Sequence, residues 1–374
     1  MKKYKVPVNE PYLFGNEKKY LLKCLKDGYI SSSGKFVKKF EEKFAKRVNR
    51  KFAISVSNGT AALQLAFEAL NIKKKEEVIL PSFTIISCVL PVIRSGAIPV
   101  LVDSDPNTWN MDVSKIEKKI TSRTRAIIAP HIYGLPIDMD PLLKIAQKYK
   151  LKVIEDAAEV LGLKYKNKEC GSFGDVSTFS FYANKHDTTG EGGMIVTNNS
   201  QIAEKCKSLR NLCFNNKKRF VHYDLGWNYR FTNMQAAVGI AQLEKLNQFI
   251  LKKRKIGKIY NKGLSKIKAF NIPLERKKYA QNIYWVYGIV IKKNSTISLD
   301  ILMRKLKKYG VDTRNFFWPL HKQPILKKMG FFKNIKLPVA EHLSKNGLYI
   351  PSGLAISLSQ QKFVINKIKK IFSN

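Results

Sequence analysis

TFSFYANKHDTTGEGGM, residues 178–194, places a lysine on a turn between a strand-like segment and a glycine-rich loop. Phe179 and Phe181 alternate with polar residues before Lys185, which predicts a strand, and residues 188–193 predict a tight loop after it. An amine on such a turn can form a Schiff base with an aldehyde when its surroundings lower its pKa. The alternative is an exposed lysine in a lysine-rich chain, because lysines are seldom buried. Residues elsewhere in the chain have to decide between the two.

A carboxylate ends the apolar segment upstream of this lysine. Asp156 closes LKVIED and is followed by Ala157 and Ala158, which leave room for a flat ring beside the carboxylate. A carboxylate in that position can hold a pyridine nitrogen protonated through a charge-assisted hydrogen bond. The alternative is an aspartate that caps the next helix.

Further upstream, FAISVSNGTAALQLAFEALN, residues 52–71, predicts a short strand followed by a capped helix. Ser57 and Asn58 are cap-forming residues, and Gly59 permits close approach of the backbone. Free N–H groups at the start of such a helix form a phosphate site. Most capped helices bind no ligand, so a purely structural cap is the alternative.

Strand-like and helical segments alternate between residues 52 and 156. Apolar runs at 77–80, 98–103, 126–130 and 152–156 are separated by helical patterns at 85–95, 113–120 and 141–149. This order predicts an α/β fold in which right-handed crossovers build a largely parallel sheet with helices on both faces. Ligands of such sheets bind at the carboxyl ends of the strands. The chain contains neither G-x-G-x-x-G nor a P-loop, so another cofactor is needed.

Length and pattern together predict two domains. The 374 residues exceed the size at which one hydrophobic core usually stops growing. From about Lys252 the pattern changes, with a strand predicted at residues 284–292 and helices at 298–309 and 358–372. We therefore expect a large domain over residues 1–250 and a smaller C-terminal α/β domain over residues 251–374.

Two further clusters are candidates for contacts outside the lysine turn. Asn228 and Arg230 lie in an extended segment before a helix predicted from Asn233, an arrangement suited to reaching across a subunit boundary. A helix cap and a surface cation are the alternative. Arg314 and His321 flank aromatic residues in RNFFWPLH, which suits a ligand with phosphates and rings. Core packing of those aromatics is the alternative.

Composition argues against several classes of protein. No run of about 18 uncharged apolar residues occurs, and MKKYKVPVNEPY lacks the apolar region of a signal peptide, so we expect a cytoplasmic protein without a membrane span. The five cysteines are widely spaced and form no C-x-x-C pair, which predicts neither a disulfide framework nor a metal site.

The net charge of +40, from 68 Lys+Arg against 28 Asp+Glu, raises nucleic-acid binding as an alternative function. The basic residues are nevertheless spread through nearly every amphipathic segment, without a basic tail or a recognisable nucleic-acid module. We therefore expect solvated surface lysine and no nucleic-acid partner. The positive electrostatic field of these residues would still favour a polyanionic small substrate such as a nucleotide diphosphate.

Six short motifs in one order carry a resemblance that covers nearly the whole chain: SNGTAAL, PSFT, HIYGLP, EDAAE, GSFGDVSTFSFYANKHDTTGEGGM and GWNYRFTN. Together they resemble the nucleotide-sugar aminotransferases of the DegT type, which are fold-type I enzymes using pyridoxal phosphate. The resemblance implies an aspartate aminotransferase-like fold, with a mostly parallel mixed sheet in the large domain. Within that family, EKFAKR, VDSDPNTWNMD, SFYANK and RNFFWPLHKQP are most similar to the perosamine synthases.

The resemblance implies a role for each candidate residue. Lys185 would form the Schiff base with the cofactor and later shuttle a proton. Asp156 would pair with the pyridinium nitrogen, and Glu159 would lie near the phenolic oxygen. The phosphate would be held by Gly59, Thr60 and Ser180, with Asn228 supplied by the neighbouring subunit of a homodimer. The candidates for substrate contact are Arg230, Arg314 and His321.

Two departures from the family pattern bear on function. Many relatives carry a ring-covering aromatic where Ile85 follows PSFT here, so either an aliphatic side chain suffices or Phe83 contributes. Family members that dehydrate the sugar at C3 replace the Schiff-base lysine with histidine, whereas here Lys185 is retained beside His186. Transamination is therefore favoured over dehydration.

The predicted reaction is amination of a nucleotide-linked 4-keto-6-deoxy sugar, GDP-4-keto-6-deoxymannose, with glutamate as the amino donor, in a pathway to a surface polysaccharide such as O-antigen. The alternatives are amination of a UDP- or dTDP-linked keto sugar at C3 or C4, and sugar 3-dehydration with pyridoxamine phosphate.

Overall fold

The structure, a computed structural model, describes residues 4–215 and 217–373. The strands are β1 Phe52–Val56, β2 Glu77–Pro81, β3 Ile98–Val102, β4 Thr124–Pro130, β5 Lys152–Asp156, β6 Lys164–Tyr165, β7 Lys168–Glu169, β8 Val176–Ser180, β9 Gly193–Thr197, β10 Phe270–Asn271, β11 Arg276–Lys277, β12 Ala280–Gln281, β13 Tyr287–Ile291, β14 Arg314–Asn315 and β15 Gly347–Ile350.

The α-helices are α1 Glu17–Asp27, α2 Lys35–Arg47, α3 Gly59–Ala69, α4 Leu90–Arg94, α5 Met139–Lys148, α6 Ser200–Arg210, α7 Asn233–Leu243, α8 Leu246–Leu264, α9 Leu299–Lys308, α10 Pro324–Lys328, α11 Pro338–Asn346 and α12 Leu358–Ser373. Short 3-10 turns lie at Ile86–Cys88, Val113–Lys115, Glu117–Lys119 and Leu320–Lys322. Within the described ranges, no helix has both the length and the apolar character needed to cross a membrane.

Seven strands form the main sheet in the order β1-β9-β8-β5-β4-β2-β3. The pairs β8/β5, β5/β4, β4/β2 and β2/β3 are parallel, and β9 alone runs antiparallel to its neighbours β1 and β8. The prediction of a largely parallel sheet is therefore confirmed. Parallel strands require crossover connections, and α3 between β1 and β2 and α5 between β4 and β5 lie on two of them.

Both faces of this sheet are buried, as near-continuous apolar strands predict. Neighbouring residues along a strand enter different cores: Ile79 and Val153 pack on one side, whereas Val78 and Ile154 pack on the other. Helix α2 packs against the first of these cores through Phe36, Phe40 and Phe44, the stripe predicted from their spacing.

The C-terminal third contributes a separate sheet with the order β10-β13-β15-β14. It encloses a core of its own, in which Tyr260 of α8 and Ile289 of β13 are fully buried. The N-terminal Val6 belongs to the same core and forms a bridge with Val311. The predicted domain boundary between residues 250 and 251 falls inside α8, and the two-domain division stays a prediction.

Three predicted elements differ from the structure. The helix expected at residues 85–95 is a 3-10 turn at Ile86–Cys88 followed by the short helix α4. The helix expected at residues 113–120 is a pair of 3-10 turns, because only Ile116 is fully buried there and one apolar side chain cannot define a helix face. The strand expected from residue 284 begins at Tyr287, since Tyr284 has a φ of 51°, outside the β region.

Candidate active site

A cavity of about 350 Å³ lies at the carboxyl ends of β4, β5 and β8. Pro130, Asp156 and Ser180 are the last residues of these strands, and all three line it. The start of α3 closes one side. The topology thus places the predicted residues together, as expected for ligand sites of parallel sheets. The six that line this cavity are Gly59, Thr60, Asp156, Glu159, Ser180 and Lys185.

One end of the cavity presents hydrogen-bond donors for an anion. Asn58 caps α3 by accepting from the Ala61 N–H at 2.8 Å, which orients the first turn. The Thr60 and Ser87 hydroxyls lie 2.8 Å apart in the cavity wall. A Cβ on Gly59 would stand 2.8 Å from the Ser180 Cβ, so only glycine permits this close approach. Helix start and hydroxyls form a cradle that fits a phosphate group.

The other end holds a buried carboxylate. Asp156 is 6% exposed and accepts from the Ala158 N–H at 3.1 Å and from the Cys88 thiol at 3.4 Å. Burial raises the pKa of Asp156, while these hydrogen bonds and the nearby Lys185 act in the opposite direction. A cationic ring nitrogen beside this carboxylate would stabilise its charged form.

Lys185 lies between the two ends, with its amine turned into the cavity. Its Nζ lies 3.9 Å from Oε1 of Glu159 and 3.7 Å from the centre of the Trp285 ring. Burial lowers the pKa of Lys185, although Glu159 and Asp156 raise it. Burial raises the pKa of Glu159 to about 8, and the Glu159 Oε2 accepts from the Tyr133 N–H at 2.7 Å. An amine with a lowered pKa beside a protonatable carboxyl suits Schiff-base and proton-transfer chemistry.

These features fit pyridoxal phosphate. The phosphate cradle, the buried carboxylate and the amine occupy one cavity and supply the three kinds of contact that such a group needs. Ile85 lines this cavity, whereas Phe83 is fully buried against the rings of Tyr133, Phe316 and Phe317. Of these two side chains only Ile85 borders the cavity, and its role in covering the ring stays a prediction.

Arg314 lies in an adjoining cavity of about 400 Å³. The two cavities share Tyr182, Asn184, Trp285 and Tyr349, so a ligand in the first can extend into the second. The Arg314 guanidinium is exposed and lies 3.8 Å from the Asp312 carboxylate. It is therefore available to an anionic ligand.

His321 does not line either cavity. It is 1% exposed and lies between two partners, the Ser82 hydroxyl at 2.7 Å from Nδ1 and the Glu341 carboxylate at 3.0 Å from Nε2. Both contacts tie the segment before α10 to other parts of the fold. The imidazole is enclosed and both of its nitrogens are engaged, so the structure does not bring it to the cavity and its contact with substrate stays a prediction.

Asn228 and Arg230 also lie away from the lysine within the chain. Arg230 donates to the Asn211 Oδ1 at 3.0 Å and lines a different cavity of about 650 Å³. Asn228 is exposed and forms a backbone bridge with Asn211. Neither residue lines the cavity that contains Lys185, so the predicted contact of Asn228 with the phosphate of a neighbouring subunit stays a prediction.

A buried cluster of potential metal ligands has another explanation. Ligand atoms of His131, Glu155 and Cys170 lie within 4.8 Å of one another. The Glu155 carboxylate already accepts from the His131 Nε2 and the Gly171 N–H, and the His131 Nδ1 accepts from the Ile137 N–H. Burial also holds the Cys170 thiol protonated by raising its pKa. We therefore assign this cluster to the hydrogen-bonded core.

Three residues of the site carry no signal in the sequence. Trp285 lies 100 positions from Lys185 in a segment that reads as a core strand, Cys88 reads as packing, and Tyr349 lies within β15. Aromatic and thiol groups at such positions are usually core residues. Only their arrangement in space identifies them as cavity residues or as partners of Asp156.

The comparisons with known proteins extend over nearly the whole chain. Residues 12–369 match the sequence profile of the DegT/DnrJ/EryC1/StrS aminotransferase family. The chain is 40% identical over 369 residues to GDP-perosamine synthase of Escherichia coli O157:H7, covering 99% of each. It is also similar to the solved structure of Helicobacter pylori PseC, an aminotransferase involved in the biosynthesis of pseudoaminic acid, with a TM-score of 0.93, 25% identity and coverage of 98% of this chain and 99% of that one.

A second solved structure is that of a GDP-4-keto-6-deoxymannose-3-dehydratase with bound GDP-perosamine. Its TM-score is 0.90 at 26% identity, with coverage of 97% of this chain and 100% of that one. Each match covers the residues of both the seven-stranded and the four-stranded sheet. The chain is therefore similar to these proteins over its whole length.

Proposed function

We propose, from the premise that this chain belongs to the DegT/DnrJ/EryC1/StrS aminotransferase family, that its substrate is GDP-4-keto-6-deoxymannose and its amino donor is L-glutamate. Family membership confirms the predicted fold-type I architecture, pyridoxal phosphate as the cofactor and a sugar aminotransferase activity. The finer assignment of sugar, nucleotide and donor is the proposal. It is supported by the 40% identity to GDP-perosamine synthase and by one geometric observation: the cavity with Lys185 shares four lining residues with a second cavity that carries Arg314.

When bound, pyridoxal phosphate supplies an aldehyde carbon that can carry an amino group and a ring that stabilises negative charge on that carbon. Lys185 would bind this carbon and move protons at it, a role that its lowered pKa favours. Asp156 would keep the ring nitrogen protonated and so strengthen the ring as an electron acceptor. The start of α3 and the hydroxyls of Thr60 and Ser180 would hold the phosphate.

The second cavity would receive the diphosphate of the nucleotide. Arg314 is a planar cation with donors arranged to bind phosphate oxygens in pairs. Tyr182, Trp285 and Tyr349 border both cavities and offer apolar faces for a sugar lacking its 6-hydroxyl. The net charge of +40 would attract such an anion over a longer range.

We expect a homodimer in which Asn228 of one subunit completes the phosphate site of the other. Large apolar side chains are exposed just before Asn228: Phe220 at 79%, Tyr223 at 83% and Leu225 at 88%. Exposed apolar residues at this density mark an interaction surface. Leu225→Glu should raise the monomer fraction in sedimentation, with the exposed Leu251→Glu as the control. An unchanged assembly would contradict this surface.

The geometry favours transamination over dehydration. His186 is 2% exposed and absent from the lining of the Lys185 cavity. Burial holds the pKa of His186 well below its usual range, and its Nε2 has no hydrogen-bond partner among the described residues. A buried neutral imidazole turned away from the cavity cannot act at the sugar, whereas the Lys185 amine can.

The test is to give the purified enzyme glutamate with the GDP-, UDP- and dTDP-linked 4-keto sugars separately and to identify the products by mass. The proposal predicts an amino sugar with the GDP substrate at a kcat/KM at least about tenfold higher than with the others, the effect of one well-placed polar contact. Arg314→Ala should raise KM, whereas Arg304→Ala on α9 should not. Preference for another nucleotide, or a dehydrated product, would contradict the assignment.

A further inference from the structure

The indole ring of Trp285 forms a face of the Lys185 cavity. The Lys185 Nζ lies 3.7 Å from the ring centre, within the range of a cation–π contact. Trp285 is 6% exposed and its indole N–H donates to the Asn184 carbonyl at 2.9 Å. Because Asn184 immediately precedes the lysine, this bond ties the ring to the turn that carries Lys185.

The backbone of Trp285 is held by a second lysine. Lys253 of α8 donates to the Trp285 carbonyl at 2.9 Å and to the Ser352 carbonyl at 2.5 Å. It is 3% exposed, and among the described residues no carboxylate acts on it, since burial alone shifts its pKa. A buried ammonium without a counter-ion is costly. The two hydrogen bonds to backbone carbonyls are therefore the interactions that Lys253 contributes to the fold.

The connection between the two lysines is continuous. Lys253 fixes the main chain of Trp285, the indole N–H fixes the ring on Asn184, and the ring face meets the Lys185 amine. The same amine lies 3.9 Å from the Glu159 carboxylate, so the indole and this carboxylate are its two close partners. A change at Lys253 can therefore alter where Lys185 lies without touching the cavity.

We propose that Trp285 is a catalytic residue that holds the free amine of Lys185 during amino transfer, and that Lys253 is the positioning residue that keeps Trp285 in place. The inference rests on the proposed role of Lys185 as the residue that binds the cofactor. Amino transfer requires Lys185 to leave the cofactor carbon and later return to it. The negative face of the indole stabilises the ammonium form and keeps the amine within reach of that carbon.

The charged and titratable groups that act on Lys185 are few. Glu159, Asp156 and the Cys88 thiol raise its pKa, against the lowering effect of burial. His186 and Lys253 face the back of the turn, where burial lowers the pKa of His186 and brings that of Lys253 to about 7. Removing the ring face should shift the pKa of the free Lys185 amine downwards, because the ammonium loses an attractive partner.

The test combines Trp285→Leu, Trp285→Phe, Lys253→Met and the double variant Trp285→Leu/Lys253→Met at saturating cofactor. We expect Trp285→Leu to lower kcat about tenfold with KM changed less than twofold, the effect of a desolvated cation–π contact. Trp285→Phe keeps a weaker aromatic face, so its kcat should lie between those of Trp285→Leu and the wild type. Trp318→Leu, an exposed tryptophan outside the cavity, and Lys255→Met, an exposed lysine of α8, are the matched controls.

The double variant separates positioning from general destabilisation. If Lys253 acts through Trp285, Lys253→Met should lower kcat in the wild-type background but have no further effect on Trp285→Leu. Additive losses would overturn the positioning role. If Lys253→Met does not fold, Lys253→Gln takes its place in the cycle.

A second readout is the pH midpoint of the absorbance band of lysine-bound cofactor. This midpoint reports the proton on the Lys185 nitrogen in its bound form, a cation that the same ring face would stabilise. Trp285→Leu should therefore lower this midpoint and Trp318→Leu should not, and an unshifted midpoint with wild-type kcat would overturn the role of Trp285. The role of Lys185 itself is judged separately, since Lys185→Ala must abolish the band whatever happens at Trp285. Retention of the band in Lys185→Ala would refute the proposed function rather than this inference.

Discussion

Replacing Lys253 by methionine should change how the stability of the enzyme depends on pH. In the unfolded chain a lysine binds its proton up to a pH near its ordinary pKa, about 10.4. In the folded enzyme burial lowers the pKa of Lys253 to about 7. Between these values the unfolded state binds more protons than the folded state, so this lysine makes stability rise with pH. Its destabilising effect is complete below about pH 7 and is lost as the pH approaches 10.

The magnitude follows from the two pKa values. Each pH unit within this window changes the free energy of unfolding by up to about 1.4 kcal/mol. The difference between wild type and Lys253→Met should therefore shift by roughly 2 to 3 kcal/mol in favour of the wild type between pH 7.5 and 9.5. Methionine fills the same space but leaves the Trp285 and Ser352 carbonyls without a donor. That loss costs about 1–3 kcal/mol per carbonyl and is nearly independent of pH.

Urea titrations of both proteins at a series of pH values, with saturating cofactor, measure this difference directly. Lys255→Met removes the same charge from an exposed position of α8 and should follow the wild-type pH dependence. Parallel pH profiles for wild type and Lys253→Met would refute the reasoning, because they would mean that Lys253 has the same proton affinity in both states.

Three further variants test the site. Gly59→Ala should raise the cofactor Kd about tenfold or more, because the new Cβ would stand 2.8 Å from the Ser180 Cβ. Fluorescence titration measures this Kd, and an unchanged value would contradict the close approach at the phosphate cradle. Asp156→Asn should lower kcat by about 100-fold, since a charge-assisted hydrogen bond to the ring nitrogen becomes a neutral one; steady-state kinetics near wild type would exclude that pairing. His321→Ala should lower the free energy of unfolding by about 2 kcal/mol and leave KM for the sugar unchanged, because the imidazole binds Ser82 and Glu341 rather than substrate. A raised KM at wild-type stability would instead support a contact between His321 and substrate.

The strands around the cavity could be predicted closely because their signals are local. The strand that ends at Asp156 has the predicted bounds, and so does β1 before the SNGT turn. In both, a short apolar run is bounded by polar or small residues, so burial and turn chemistry agree. The lysine turn is equally local, since Phe179 and Phe181 are fully buried before it.

Helix α8 shows why other elements could not be predicted. Its buried stripe includes Phe249, Ile256 and Tyr260, but a lysine, Lys253, occupies a buried position in the middle of that stripe. In sequence the lysine interrupts the apolar pattern, and the surrounding basic residues read as a solvated surface. The carbonyl partners that make its burial tolerable lie 32 and 99 positions away.

The separation of Arg314 from His321 has the same origin. His321 and Arg314 are seven positions apart and were predicted to act together, yet β14 carries Arg314 towards the second cavity while His321 turns into the core. Spacing within a loop fixes which residues are near one another in the chain, but not which direction each side chain takes. That direction depends on Ser82 and Glu341, which no local pattern connects to His321.

The most direct test of the account is to reduce the purified enzyme with borohydride and locate the bound cofactor by mass spectrometry of peptides. Reduction converts a lysine Schiff base into a stable secondary amine. We expect the added mass on Lys185 alone and no modified peptide in Lys185→Ala. Modification of another lysine such as Lys253, or no modified peptide in the wild type, would contradict the assignment of Lys185 as the residue that binds the cofactor.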